Sequence, residues 1–195
     1  MRIFLGIGLS LLTVGAAFAD EALVTAAQDR LKQRVSYNGA YMKLDYPGGD
    51  VPAHIGVCTD VIIRSYRAAY GFDFQEAVHE DMKANFSAYP KIWGLTRTDR
   101  NIDHRRVPNL ETYLKRQGAD VGISKKASDF KPGDVVSWRL AGSLPHIGIV
   151  SDRKARDGTP LIIHNVGAGP KEEDVLFAYK MNGHFRFVPD AAAQD

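Results

Sequence analysis

The sequence contains one cysteine, Cys58, and six histidines, and a cysteine with a nearby histidine is a side-chain set that performs nucleophilic catalysis. Cys58 opens a segment whose apolar residues recur with a helical period and which stops at Gly71. A thiol at a helix N-terminus has a lowered pKa, because the helix dipole and free N–H groups stabilise the thiolate. The alternative is a structural role, since free cysteines are often small buried residues of a core.

Two histidines, His146 and His164, lie in consecutive β-like segments, HIGIVSD and PLIIHNV. A hairpin centred on residue 155 places each histidine nine residues from the turn, so that the two are directly opposite. Opposed residues on one face of a sheet have Cβ atoms about 4.5–5.5 Å apart, which brings two imidazoles within hydrogen-bonding reach. The pair could supply a general base and its orienting partner, whereas each histidine alone could equally be structural.

The elements that would position these residues form two blocks. Helical periods are found at residues 21–34, 58–70 and 74–86, with Asp73 as N-cap of the last, and a further helix follows Asn109 and ends at Gly118. Beyond residue 126 the pattern changes to short β-rich segments, DVVSW, HIGIVSD, PLIIHNV and HFRFV, with a short helix favoured between residues 171 and 182. The sequence therefore predicts an α+β fold with N-terminal helices packed on an antiparallel sheet.

Composition and the N-terminus indicate an exported globular protein. Of the 195 residues, 45% are hydrophobic and 25% are charged, as in ordinary soluble domains. Arg2, an apolar run and Ala17-Phe18-Ala19 predict a signal peptide over residues 1–19, cleaved after Ala19, and hence a periplasmic or secreted protein without an integral membrane segment. The remaining chain, 20–195, is nearly neutral, which argues against nucleic acid as a partner.

Three motifs together resemble NlpC-type papain-like cell-wall cysteine peptidases: YPGG before the cysteine, GDVV at the first strand, and HIGI around His146. Further segments resemble the bacterial domain-of-unknown-function family 1287 across nearly all of the mature chain, namely YPGGDVP, GVCTDV, VHEDM, YPKIWGL, NIDHRRVPNL, HIGIVSD and IIHNVG. Thr59-Asp60 stands where the NlpC pattern has Ser-Gly, and the stretch 72–128 is longer than in simple members, which predicts a single papain-like domain with a helical and loop insertion there.

The resemblance implies a role for each matching residue. Cys58 would be the nucleophile, His146 the general base and His164 the residue that orients it, with Asn165 as the alternative orienter and Tyr46 as a contributor to oxyanion binding. It implies hydrolysis of an amide bond in peptidoglycan or another cell-wall peptide, through an acyl-enzyme, with no metal or organic cofactor. Two alternatives remain open: a non-catalytic cell-wall binding module of the same fold, and an acyltransferase or transglutaminase-like enzyme with the same triad.

Several charged residues are candidates for substrate binding. Asp60 is expected to accept backbone N–H groups in the first turn of its helix, or to contact a cationic substrate group. A charged cluster in the long central loop could form a rim that binds substrate carboxylates, or internal ion pairs that fix the loop; it comprises Asp103, His104, Arg105 and Arg106. His79-Glu80 does not begin a HExxH zinc motif, because Lys83 occupies the position of the second histidine.

Overall fold

The computed structural model describes residues 14–141 and 143–189. The predicted signal peptide includes residues 1–13, which lie outside these described residues, so export remains a prediction. Within the described ranges no helix is long and apolar enough to span a membrane. The elements in chain order are α1 (Val14–Arg30), β1 (Ser36–Tyr37), β2 (Ile55–Gly56), α2 (Cys58–Tyr70), α3 (Phe74–Ala84), α4 (Val107–Arg116), β3 (Val135–Leu140), β4 (Leu144–Lys154), β5 (Pro160–Asn165), β6 (Pro170–Glu173) and β7 (Lys180–Phe185).

The protein is a mixed α+β structure, as predicted, with a five-stranded antiparallel sheet in the order β6-β5-β4-β3-β7. The short helix predicted between residues 171 and 182 is wrong. This segment starts within β6, which ends at Glu173, and finishes within β7, which begins at Lys180. The polar sequence of β6 has little intrinsic strand preference. Pairing with the exposed edge of β5 decides its conformation, which is a tertiary effect.

Helix α2 is the central helix of the larger core. Its buried face includes Cys58, Ile62 and Tyr66, and it packs against α1 and β4. The helix ends where predicted, since Gly71 adopts the left-handed conformation with φ 68° and donates its N–H to the carbonyl of Arg67. The next helix, α3, begins with the predicted cap, because the Asp73 carboxylate accepts the N–H of Gln75.

The sheet separates two apolar clusters. Ile147, Ile149 and Ile163 pack with α2 on one face, whereas Trp138, Val150 and Ile162 belong to a smaller cluster on the other. Successive side chains of a strand point to opposite faces, so His146 and His164 lie on the face of Trp138. The ring of His146 stacks on that of Trp138 with centroids 6.0 Å apart.

A short parallel pair lies before the nucleophile candidate. β1 and β2 pair in register, with Ser36 beside Ile55 and Tyr37 beside Gly56. Because Gly56 is two residues before Cys58, this pairing places Tyr37 next to the start of α2. The remaining turns of 3₁₀ helix are at Phe86–Ala88, Asp103–Arg105 and Ala127–Asp129.

Candidate active site

Cys58 is the first residue of α2, as predicted, and only 4% of it is exposed. Val57 before it has extended backbone angles, φ −124° and ψ −172°, which end the preceding segment and start the helix. The Asp60 carboxylate accepts the N–H of Val57 at 2.6 Å. Asp60 thus takes the capping position predicted for it, and it fixes the backbone on which the thiol is carried.

The pKa of the Cys58 thiol is raised to about 12, mainly because burial disfavours the thiolate. The nearby Asp60 carboxylate acts in the same direction, whereas backbone hydrogen bonds from Ile147 and Thr59 act in the opposite one. The lowered pKa predicted from the helix N-terminus is therefore wrong for this state of the protein. The helix terminus is present, but desolvation of the sulfur outweighs it.

His146 and His164 are hydrogen-bonded, with His146 Nε2 2.7 Å from His164 Nδ1. The predicted direct opposition is wrong by two residues, since His164 pairs with Gly148. The cause is the turn, in which Lys154 pairs with Pro160 so that its centre is residue 157 instead of 155; an irregularity between Val150 and Lys154 then removes half of the displacement. Because the shift is even, both histidines keep the same face and meet along the diagonal of the ladder. Gly148 leaves room for this, as a Cβ there would lie 3.1 Å from the Cβ of His164.

The histidine pair continues to an acid that the sequence does not reveal. Glu173 on β6 lies with Oε2 3.0 Å from Nε2 of His164. A carboxylate accepts hydrogen bonds but does not donate them, so Nε2 of His164 carries a hydrogen. Nδ1 of His164 is then unprotonated and accepts a hydrogen bond from Nε2 of His146. His146 Nδ1 is then the unprotonated nitrogen. Glu173 thereby fixes both tautomers and gives His146 the form of a base.

Both histidines are neutral at physiological pH. Burial lowers the pKa of His146 to about 4, and the neighbouring His164 lowers it further. Burial also lowers the pKa of His164, although Glu173 opposes this effect. The thiol contacts the β4 backbone at Ile147, the residue after His146. Among the described residues, no hydrogen bond joins the Cys58 thiol to either imidazole. Both imidazoles lie on the Trp138 face of the sheet, whereas Ile147, whose backbone the thiol contacts, faces α2.

The structure places Tyr37, rather than Tyr46, at the thiol. The hydroxyl of Tyr37 lies near the thiol of Cys58, and burial of this hydroxyl raises the pKa of Tyr37 to about 12, although 44% of the residue is exposed. The hydroxyl of Tyr46 donates to Glu80 on α3 at 2.9 Å, and its ring packs edge-on against His79. Tyr46, to which the family pattern assigns oxyanion binding, therefore contacts α3, whereas Tyr37 is the tyrosine near the thiol.

The charged residues of the central loop form internal ion pairs. Arg105 makes two hydrogen bonds to Asp60, at 3.0 and 2.9 Å, and both side chains are 4% exposed. The backbone carbonyl of Arg105 also accepts the hydroxyl of Thr59 at 3.1 Å. The loop is therefore fastened to the first turn of α2. The alternative of an exposed carboxylate-binding rim is wrong for Arg105, whose guanidinium is occupied by Asp60.

The other members of this loop are also held internally. Asp103 is 1% exposed and pairs with Arg106 at 3.2 Å, while the guanidinium of Arg106 lies over the ring of Trp93, 4.3 Å from its centroid. His104 is 2% exposed, and burial lowers its pKa to about 4. The binding roles considered for Asp103, His104 and Arg106 are replaced by a structural one.

Asn165 does not orient His146. Its amide nitrogen donates to the carbonyl of Gly56 at 3.5 Å, which joins the end of β5 to the segment before α2. Of the two candidates for the orienting residue, His164 is the one that contacts His146. As to metals, residues 14–141 and 143–189 contain no group of three or more His, Cys, Asp or Glu side chains that could hold an ion.

Fold and site together define an α+β domain with a buried cysteine at a helix start and a histidine pair on the adjoining sheet. The chain belongs to the family described as domain of unknown function DUF1287, which matches residues 24–187. It is 54% identical over 166 residues to uncharacterized protein YijF of Escherichia coli (strain K12), covering 85% of this chain and 80% of that protein. The resemblance to family 1287 is thus confirmed.

Sequence reasoning missed Tyr37 and Glu173. Tyr37 lies in a strand of two residues, which is too short to show a period, and only its pairing with β2 brings it to Cys58. Glu173 lies in the polar edge strand β6. It pairs with Ile162 of β5 and is therefore diagonal to His164. Predicting a strand over residues 170–173 would have identified Glu173, because such a strand places its side chain on the same face of the sheet as His164.

Proposed function

We propose that this protein is an exported thiol hydrolase of papain-like, NlpC-type fold that cleaves an amide bond in peptidoglycan peptides. The observation that carries the proposal is the hydrogen-bonded series from Glu173 through His164 to His146. It ends on a buried imidazole whose unprotonated nitrogen can act as a base. The thiol of Cys58, at a helix N-terminus, contacts the next residue of the same strand.

The proposed reaction begins with thiol and imidazole both neutral, since their pKa values lie near 12 and 4. As sulfur attacks the carbonyl carbon, Nδ1 of His146 takes the thiol proton, so no thiolate needs to accumulate beforehand. Catalytic contacts often form only when substrate binds, and this step requires the His146 imidazole to move from the Trp138 face of the sheet towards the sulfur at the start of α2. His164 and Glu173 then stabilise the imidazolium that forms.

The remaining steps use the helix terminus and the same imidazole. Backbone N–H groups at the start of α2 and the Tyr37 hydroxyl stabilise the oxyanion. His146 donates its new proton to the leaving amine, and the acyl group stays on Cys58 as a thioester. Water, deprotonated by His146, attacks the thioester and releases a carboxylic acid, which restores the thiol.

The proposal is tested by incubating purified protein with peptidoglycan sacculi and identifying the released peptides by mass spectrometry. We expect new peptide termini from the wild-type protein and none from the Cys58→Ala variant. Cleavage that persists at the same rate in Cys58→Ala would exclude Cys58 as nucleophile.

A second candidate is a non-catalytic cell-wall binding module of the same fold. It is favoured by the protonated, 4% exposed thiol and by the missing hydrogen bond between Cys58 and the described histidines. The same experiment separates the two functions. Sedimentation of wild-type protein and Cys58→Ala with sacculi to equal extents, without any released peptide, would establish the binding module and contradict hydrolysis.

Removal of the Tyr37 hydroxyl is expected to lower kcat about 100-fold in Tyr37→Phe, the effect of losing one oxyanion donor. The matched control is Tyr46→Phe, which removes the hydrogen bond to Glu80 and should cost only about 1 kcal/mol of stability. The measurement is kcat on isolated muropeptides together with thermal unfolding. Equal losses of kcat in the two variants would contradict the assignment of Tyr37.

Glu173→Gln is expected to lower kcat about 100-fold with little change in KM, because an amide no longer fixes the tautomers of the two histidines. The matched control is Glu172→Gln, whose carboxylate bonds Ser151 and Arg153 instead. Nitrogen NMR shifts of His146 provide a direct reading of the tautomer: Nδ1 unprotonated in the wild type and in Glu172→Gln, mixed in Glu173→Gln. An unchanged tautomer in Glu173→Gln would contradict the positioning role.

The pH dependence follows from the two pKa values. Only neutral His146 accepts a proton, so kcat/KM should rise as pH increases through about 4 and then stay level through neutrality, because the thiol pKa is about 12. The measurement is kcat/KM between pH 3.5 and 10, with circular dichroism to confirm that the protein stays folded. A rise centred between pH 8 and 9, near the ordinary thiol pKa of about 8.5, would instead indicate prior ionisation of the cysteine.

A further inference from the structure

A cleft of about 290 Å³ lies between the C-terminal end of α1, the outer side of α2 and the end of β5. Its walls include Arg30 from α1, Val57 and Asp60 beside the thiol-bearing residue, and Asn165, which follows His164. The volume is near the lower end of the range of about 300–1,000 Å³ for small-molecule sites. The cleft therefore adjoins the candidate active site and is large enough for one or two small amino-acid units.

Two polar atoms in the cleft walls are buried without hydrogen-bond partners. They are Nε of Arg30, a donor, and Oδ1 of Asn165, an acceptor. Asn165 as a whole is 1% exposed, and its amide nitrogen is already used by the carbonyl of Gly56. A buried polar atom without a hydrogen-bond partner costs about 1–3 kcal/mol of stability. A ligand that offers one acceptor to Arg30 Nε and one donor to Asn165 Oδ1 would remove this cost.

The charges of the cleft leave one cation uncompensated. Arg64 makes hydrogen bonds to both carboxylate oxygens of Asp50, at 2.8 and 3.1 Å. The Asp60 carboxylate is paired with Arg105. Arg30 makes no ion pair with any acid in the described ranges, so the cleft presents a free guanidinium, which binds carboxylates in a bidentate manner.

We propose that this cleft binds an N-acylated amino acid with a free carboxylate, such as the terminal residue of a peptide. The guanidinium of Arg30 holds the carboxylate, and Oδ1 of Asn165 accepts the amide N–H of the ligand. The ligand thus supplies the acceptor and the donor that the two buried atoms lack. The role of this cleft as a substrate subsite rests on the proposed function, but the binding itself does not.

The test is an NMR titration of N-acetyl-alanine into the Cys58→Ala variant, which binds without turnover. We expect saturable shifts of the Arg30 Nε–H and Asn165 side-chain signals at millimolar ligand, and at least tenfold weaker binding of N-acetyl-alaninamide, which has no carboxylate. Absence of saturable shifts, or equal affinity for the acid and the amide, would overturn the proposal.

Substitutions in the same background localise the binding. Arg30→Gln and Asn165→Leu should each weaken N-acetyl-alanine at least tenfold, the first by removing the cation and the second by removing the acceptor of the ligand's amide N–H. Arg34→Gln, which removes an exposed cation outside the cleft, should leave affinity unchanged. Unchanged affinity in Arg30→Gln, or in Asn165→Leu if the first variant does not fold, contradicts the site. Binding without any hydrolysis of sacculi by the wild type would refute the proposed function while leaving the cleft assignment intact.

Discussion

Turnover of muropeptides by the His146→Gln variant should fall by about 10⁴-fold or more, to the level of Cys58→Ala, because both remove one inseparable catalytic unit. Glutamine occupies a similar volume but has no nitrogen that can take the thiol proton. The double variant should be no worse than either single one, since members of a catalytic unit are not additive. The measurement is kcat by mass-spectrometric quantification of released peptides.

The control for this substitution is another buried histidine of the same sheet. His184 on β7 is 2% exposed and is hydrogen-bonded to Asp134 at 2.7 Å, away from the histidine pair. His184→Gln should reduce stability but retain turnover. Retention of most of the turnover in His146→Gln, or its loss to the same extent in His184→Gln, would contradict the assignment of His146 as the base.

Arg105→Met is expected to lower the free energy of unfolding by about 3–5 kcal/mol, because it leaves the buried carboxylate of Asp60 without its cation. The same change frees the central loop from the first turn of α2, so turnover should fall as well. The measurement is urea unfolding followed by circular dichroism. The two partners are each 4% exposed, which is why this ion pair differs from those on the surface.

A surface ion pair supplies the comparison. Lys32 pairs with Asp29 at 2.6 Å, but their side chains are 76% and 48% exposed, and Lys32→Met should leave the free energy of unfolding almost unchanged, because solvent screens exposed pairs. Combining Asp60→Asn with Arg105→Met should recover part of the lost stability, since the unpaired buried charge is then absent. Equal small losses in Arg105→Met and Lys32→Met would show that the Asp60–Arg105 pair does not hold the loop.

Local sequence features predict those parts of the fold that depend on neighbouring residues. The helix that begins at Cys58 and ends at Gly71, and the cap at Asp73, follow from apolar period and residue type. The strand that carries His146 follows from alternation in the same way. These elements place the cysteine at a helix start and the histidines on neighbouring strands, which is the main part of the candidate site.

The remainder depends on contacts between distant segments. The pairing of His164 with Gly148 results from the position of the turn, centred on residue 157, together with an irregularity within β4, and residue types specify neither. The pKa of Cys58 depends on how deeply the helix start is buried, so the sign of its shift could not be obtained from position in the helix alone. Whether Arg105 is a rim residue or an internal partner is likewise decided only when Asp60 is brought beside it.

The central claim is that Cys58 attacks the substrate and carries its acyl group. The direct measurement is rapid quenching of purified protein with isolated muropeptides, followed by intact-protein and peptide mass spectrometry. We expect a transient mass increase equal to the acyl part of the substrate, located on Cys58 and absent from Cys58→Ala. Peptide release at full rate by Cys58→Ala, with no adduct on the wild-type protein at any time, would contradict it.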